Sequence, residues 1–172
     1  MTTIKDFPKT FLGHPSQWEL KALLEKLFAD PEPEYITEAV VSFLREKPLP
    51  LDDFPKIDRT YSRTMLLCAH NGYEAMAARW DKGVDSSIHG HPDYSFLIVL
   101  HGMLKVDNYE KENQNLKKVS TDILKPDDFI SKISHNQMFD NHIHGVYAEQ
   151  ETLSIHISSK DATKGEIFHR TG

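Results

Sequence analysis

His89 and His91 stand two residues apart in the stretch Ser86-Ser87-Ile88-His89-Gly90-His91. In an extended strand that spacing turns both imidazoles to one face, where they can share a metal ion. Gly83 precedes the pair with five residues between, and an apolar run, Phe96 to Leu100, comes after it and ends at His101-Gly102. This Gly-x5-His-x-His…Gly layout suits a small β-barrel that aims two ligands at an ion in its interior. Such a site needs about three protein ligands and a coordination position left open. The third must come from a distant strand, and His142, His144 and His156 are the candidates. His144, followed by Gly145-Val146 before the closing strand, is favoured. His142 shares its face by the same two-residue rule and comes second. No carboxylate falls in a ligand position soon after the pair: Asp93 is followed by Tyr94, Ser95 and Phe96. An all-histidine set is neutral, so an iron(II) it holds keeps its full charge and favours a soft anionic co-ligand such as a thiolate. Imidazole also suits zinc, copper and nickel. His-x-His pairs by themselves are often incidental surface residues; Gly83 in front and the second histidine cluster downstream set this one apart.

A second polar feature lies near the C-terminus. Ser154 and His156 alternate with Leu153, Ile155 and Ile157, so one face of that strand is polar. Facing a barrel interior, the pair needs partners, and a hydrogen-bond network at the site supplies them. The plainer alternative is an outer face in water.

The elements that hold these residues read in two parts. Ser16-Gln17-Trp18-Glu19 has the capping-box pattern, with Leu20, Leu23, Leu24, Leu27 and Phe28 after it at helical spacing, predicting a helix over about 16–29. Asp30-Pro31-Glu32-Pro33 breaks it. Ile36, Val40, Phe43 and Leu44 define a second amphipathic helix that Pro48 ends. Both helices pack one apolar face on the strands of the second part and serve as scaffold. After the proline-rich connection over 46–57 the period changes to alternation. Tyr61 and Arg63, then Met76, Ala78 and Trp80, lie in short extended segments joined by a turn at His70-Asn71-Gly72-Tyr73. Tyr109 to Lys118 reads as a polar loop or hairpin tip, and Pro126-Asp127-Asp128 as a turn after a strand. Residues 131–141 read as irregular. His142–Tyr147 and Thr152–Ser158 form a last strand pair. Seven or more short strands of this kind make a sandwich or barrel.

At 172 residues, with 39% hydrophobic and 27% charged residues, the chain is expected to form one domain: a helical segment over 1–56 and a barrel over 57–172. The net charge of −6, with no stripe of Lys and Arg, argues against nucleic acid. No apolar run is long enough for a membrane span. The N-terminal residues lack the apolar core of a signal peptide. The single cysteine, Cys68, fits a reducing compartment. A cytoplasmic monomer or small homo-oligomer is expected.

Tyr61-Ser62-Arg63, Trp80, Ser86-Ser87-Ile88-His89-Gly90-His91, Gly102, His144-Gly145-Val146 and Ser154-Ile155-His156 resemble, in order and nearly in spacing, the cysteine dioxygenases. These are cupin-fold, non-haem iron thiol dioxygenases. The resemblance covers about residues 57–172, down to a tail like Phe168-His169-Arg170-Thr171-Gly172. It implies a mainly β cupin fold, a double-stranded β-helix or jelly-roll barrel, with the two helices outside. It implies Fe(2+) held by His89, His91 and His144. Arg63 and Trp80 would then serve the substrate, Arg63 by pairing with its carboxylate. Tyr61, Ser154 and His156 would be catalytic. Without the resemblance, Arg63 reads as an ordinary surface ion pair, worth at most about 1 kcal/mol. The implied reaction transfers both atoms of O2 to the sulfur of a small thiol such as cysteine or 3-mercaptopropionate.

The sequence departs from the family in places. Animal members carry a cysteine just before the position of Phe96, cross-linked to a tyrosine two residues after that of His156. Ser95 and Ser158 stand there instead, so that cross-link cannot form. Tyr94 and Tyr147 are the candidates to replace the lost hydroxyl. The usual Ser-Pro-Pro is Ser159-Lys160-Asp161. These changes keep two alternatives open: a three-histidine cupin acting on a non-thiol small molecule, and a non-catalytic ligand-binding barrel.

Overall fold

The computed structural model describes residues 15–135 and 138–169. Two helices, α1 (Pro15–Ala29) and α2 (Pro33–Glu46), precede ten strands. The strands are β1 (Tyr61–Cys68), β2 (Glu74–Trp80), β3 (Ile88–His91), β4 (Tyr94–His101) and β5 (Leu104–Glu112), then β6 (Asn115–Leu124), β7 (Phe129–Ile133), β8 (Asn141–Ala148), β9 (Thr152–Ser158) and β10 (Ile167–Phe168). They form two five-stranded antiparallel sheets, in the orders β1-β2-β9-β4-β7 and β10-β3-β8-β5-β6. No described helix is long and apolar enough to cross a membrane.

Burial explains which strands carry which pattern. On β4, Phe96, Ile98 and Leu100 pack with Leu20, Leu24, Ile36 and Val40 of the helices. The alternate residues Leu97 and Val99 join a second apolar cluster with Ala78, Trp80, Val106 and Val146. Apolar side chains therefore suit both faces, which accounts for the unbroken run Phe96–Leu100. Its neighbour β9 also gives Ile155 and Ile157 to the helix side. Ser154 is fully buried all the same, so its strand's polar face points inward and not to water.

Several local expectations change. The first helix begins at Pro15, a residue suited to the first helical position, which places Ser16 inside the first turn. Its hydroxyl donates to the Asp53 carboxylate at 2.8 Å, tying α1 to the proline-rich connection. The stretch Tyr109–Lys118, expected as a polar loop or a hairpin tip, proves to be the latter. It belongs to the β5–β6 hairpin, which turns tightly between the partners Glu112 and Asn115, with Asn113 at φ +59°. That part of the hairpin projects beyond the apolar clusters, so its strand residues can be polar on both faces. Likewise β7 takes in residues expected to be irregular. Residues 142–147 and 152–158 do not pair with each other: β8 lies between β3 and β5, whereas β9 lies between β2 and β4. The short connection between them crosses from one sheet to the other, as a jelly roll requires.

Candidate metal centre

His89 and His91 lie on β3, with Gly90 between them. Gly83, at φ +84°, makes the turn that brings the chain off β2 toward that strand, its N–H donating to the Ala148 carbonyl at 2.8 Å. Gly90 is where main chains crowd. A Cβ there would lie 2.4 Å from the Phe139 carbonyl oxygen and 2.7 Å from the Asp140 Cα. Its N–H also donates to the Glu166 carbonyl at 2.9 Å, so the C-terminal segment is tied to the strand that carries both histidines.

His144 sits directly opposite His89 in the β3–β8 pairing. The three rings of His89, His91 and His144 have centroids 4.4–4.9 Å apart. One ligand nitrogen from each lies within 4.8 Å of the others. The Nδ1 of His89 bonds the Ser87 carbonyl at 2.8 Å, and the Nδ1 of His91 bonds the His142 carbonyl at 2.9 Å. A carbonyl only accepts, so each of these Nδ1 atoms carries the ring proton and each Nε2 keeps its lone pair. Burial lowers the pKa of His89 and lowers those of His91 and His144 well below the ordinary histidine value, with the neighbouring histidines adding to the shift for the last two. Neutral imidazole is the form that binds a metal. The donor set therefore fits a metal ion with histidine ligands, and no carboxylate belongs to it.

These rings line a cavity of about 90 Å³, room for several waters or one small molecule. Arg63 and Tyr61, two apart on β1, line the same cavity. The Arg63 guanidinium donates to the Tyr61 hydroxyl at 2.9 Å. Among the described residues it makes no ion pair within 4 Å. Glu74, Met76 and His156 complete this wall, and Ala162, Thr163 and Gly165 close it from the C-terminal side. The Ala162 N–H donates to the Glu74 carboxylate at 2.7 Å, while burial raises the pKa of that carboxyl.

Trp80 and Ser154 stand behind the wall, not in it. The Trp80 indole N–H donates to Ser154 Oγ at 2.9 Å, and its ring stacks on Tyr61 with centroids 4.2 Å apart. With that N–H received, the Ser154 hydroxyl is free to donate to His156 Nε2, 2.8 Å away. Burial, with Arg63 as the next cause, pushes the His156 pKa down to about 3. The ring is thus neutral.

Two expected replacements for the missing hydroxyl lie elsewhere. Tyr94 points into the helix-side core, where its hydroxyl meets Thr37 Oγ1 at 3.0 Å. Tyr147 lies under the Lys105 ammonium, outside the residues that line the cavity. His142 lines it instead. Its Nδ1 is 3.2 Å from Ser95 Oγ, and the cluster of converging ligand nitrogens is His89, His91 and His144 without it. Nothing in the sequence pattern marks Glu74 or the 162–165 segment as parts of the site. Residues 170–172 of the C-terminal tail lie outside the described residues.

The chain matches the profile of cysteine dioxygenase type I over residues 14–164. It belongs to that family. The family is one of cupin thiol dioxygenases, and the match takes in both helices as well as the barrel. No curated protein matches the chain by sequence. Among solved structures, a cupin superfamily protein of Desulfitobacterium hafniense is similar at 14% identity and a TM-score of 0.50, over 67% of this chain and 93% of that one. A conserved protein of unknown function from Streptococcus pyogenes is similar at 15% identity and a TM-score of 0.50, over 67% and 88%. These likenesses show the fold, a cupin jelly roll.

Proposed function

We propose that this family member is an iron(II)-dependent dioxygenase that converts a small thiol carboxylate, cysteine or 3-mercaptopropionate, to its sulfinate with O2. The observation that carries the reading is that Arg63, held by Tyr61, lines the same small cavity as three neutral imidazoles. His89, His91 and His144 would hold the iron. A bound iron(II) supplies the redox chemistry that activates O2 toward the substrate sulfur. In the overall change both oxygen atoms end on sulfur, and sulfur gives up all the electrons that O2 takes, so no external reductant enters.

The chain's own residues bind and orient. The planar guanidinium of Arg63 matches a carboxylate with two parallel hydrogen bonds. Its bond to Tyr61 and the stack of Tyr61 on Trp80 limit how the guanidinium can turn, so the substrate is held in one orientation relative to the histidines. A donor set without carboxylates adds no negative charge, which favours a substrate that arrives as thiolate. His156, fixed through Ser154 and Trp80, adds a neutral polar edge to the wall and no competing cation.

The test is O2 consumption by iron-loaded protein with cysteine, 3-mercaptopropionate and a panel of diketones, with products identified by mass. Sulfinate formed in step with O2 uptake supports the reading. Uptake with diketones alone, or none with any thiol, sinks it.

A further inference from the structure

His142 touches the histidine cluster from two sides at once. Its carbonyl accepts from His91 Nδ1 at 2.9 Å, and its ring Nε2 lies 3.4 Å from His144 Nδ1. Its other ring nitrogen, Nδ1, lies 3.2 Å from Ser95 Oγ on β4. This placement comes from a bulge. His89 pairs with His144 and His91 with Asn141, so β8 spends three residues where β3 spends two. His142 takes up the extra residue with φ at +46°, a conformation side-chain-bearing residues rarely adopt. A regular strand would have offered His142 as a competing ligand on the same face as His144. The bulge turns it into a partner of the ligands.

We infer that His142 is a positioning residue of the metal centre, fixing His91 through its carbonyl and His144 through its ring. The inference rests on reading His89, His91 and His144 as metal ligands. For His144 to present the lone pair of Nε2, its proton must sit on Nδ1 and be donated to His142 Nε2. His142 must then carry its own proton on Nδ1 and donate it to Ser95 Oγ. The reverse order, Ser95 donating to His142 and His142 to His144, would leave the His144 proton on Nε2 and block that ligand. The line Ser95–His142–His144 is therefore directional. Ser95 matters as an acceptor, and a histidine at 142 matters because it can accept at one nitrogen while donating at the other. A ligating imidazole is ordinarily held by such a partner on its second nitrogen, and loss of the partner weakens metal binding about 10–100-fold.

Cobalt(II) is the probe, titrated into metal-free protein under anaerobic conditions with affinity and visible absorption spectrum recorded. His142→Leu removes the ring acceptor and leaves the main-chain carbonyl to His91. It is expected to weaken cobalt binding about 10–100-fold and to shift the spectrum. His142→Gln puts a carbonyl oxygen near the lost Nε2 and is expected to restore most of the affinity, which a merely space-filling role would not require. Ser95→Ala, which leaves the His142 ring in place, is expected to cause a smaller loss in the same direction. It decides the question should His142→Leu fail to fold: wild-type affinity and spectrum in Ser95→Ala would then overturn the inference. His144→Ala separates the two levels. If it loses cobalt while His142→Leu binds as wild type, the positioning role falls and the metal site stands. If His144→Ala binds as wild type, both fall.

Discussion

Ser95 of β4 and Ser158 of β9 are partners in register, side by side on neighbouring strands. These are the positions that carry the cross-linked cysteine and tyrosine in the animal members that the sequence resembles. Here each hydroxyl is engaged elsewhere: Ser95 with the His142 ring at 3.2 Å, and Ser158 with the Lys160 carbonyl at 2.6 Å. The only cysteine, Cys68, is exposed at the end of β1. The intact mass after repeated turnover is therefore expected to equal the sequence mass. A species lighter by two hydrogens would show that a cross-link had formed by another route.

Arg63 is expected to govern substrate affinity and not metal content. Arg63→Ala removes a charged two-point partner for a carboxylate, a loss of about 1.5–3 kcal/mol, or roughly 10–100-fold in KM. Arg63→Lys keeps the charge without the fork and recovers only part of it. Steady-state kinetics with iron analysis on the same preparations checks both. An unchanged KM in Arg63→Ala removes the residue from this role.

Gly90 has no space for a methyl group. Gly90→Ala drives a Cβ against the Phe139 carbonyl and the Asp140 Cα, main-chain atoms that cannot move without shifting β3 or the 139–140 segment. Overpacking of this kind costs about 1–3 kcal/mol, a fall in Tm of roughly 3–10 °C in a chain this size. Since Gly90 links two of the candidate ligands, metal affinity should fall with it. Calorimetry with and without metal measures both effects, and a wild-type Tm would show that the crowding is relieved cheaply.

Local spacing decides how much of the site is legible in the sequence. His89 and His91 can be read as a pair because alternation along one strand is a local property, and the run Phe96–Leu100 marks a buried strand for the same reason. His144 over His142 is harder. The two share a face only if β8 is regular, and the deciding bulge is set by pairing with β3, far away in sequence. Pairing of the last strands fails for a related reason: a short connection suggests a hairpin, but in a jelly roll it crosses between sheets. The polar stretch Tyr109–Lys118 can be read as a loop or as a hairpin tip because a hairpin that extends past the core loses the apolar alternation that betrays a strand. Glu74 lies on β2 in phase with Met76, but no local pattern marks it as part of the site, and the 162–165 segment reaches the site only by closing over the cavity.

His156 gives the fold a distinctive pH dependence. An unfolded histidine titrates near 6.5, whereas burial holds His156 at about 3 in the folded chain. Above pH 6.5 both states are neutral and the contribution is fully present. As pH falls from 6.5 toward 3, the unfolded state gains a proton that the folded state refuses, so stability declines by up to about 1.4 kcal/mol per pH unit from this one group. The loss is complete once pH drops below the folded value. His156→Gln cannot titrate, so its stability should vary less steeply across pH 6 to 4, by about one proton, whatever its absolute stability. Urea unfolding of metal-free protein at several pH values gives both slopes. Parallel curves for the two proteins would mean that His156 takes up a proton in the folded state as readily as in the unfolded one, and the neutral Trp80–Ser154–His156 chain would have to be abandoned.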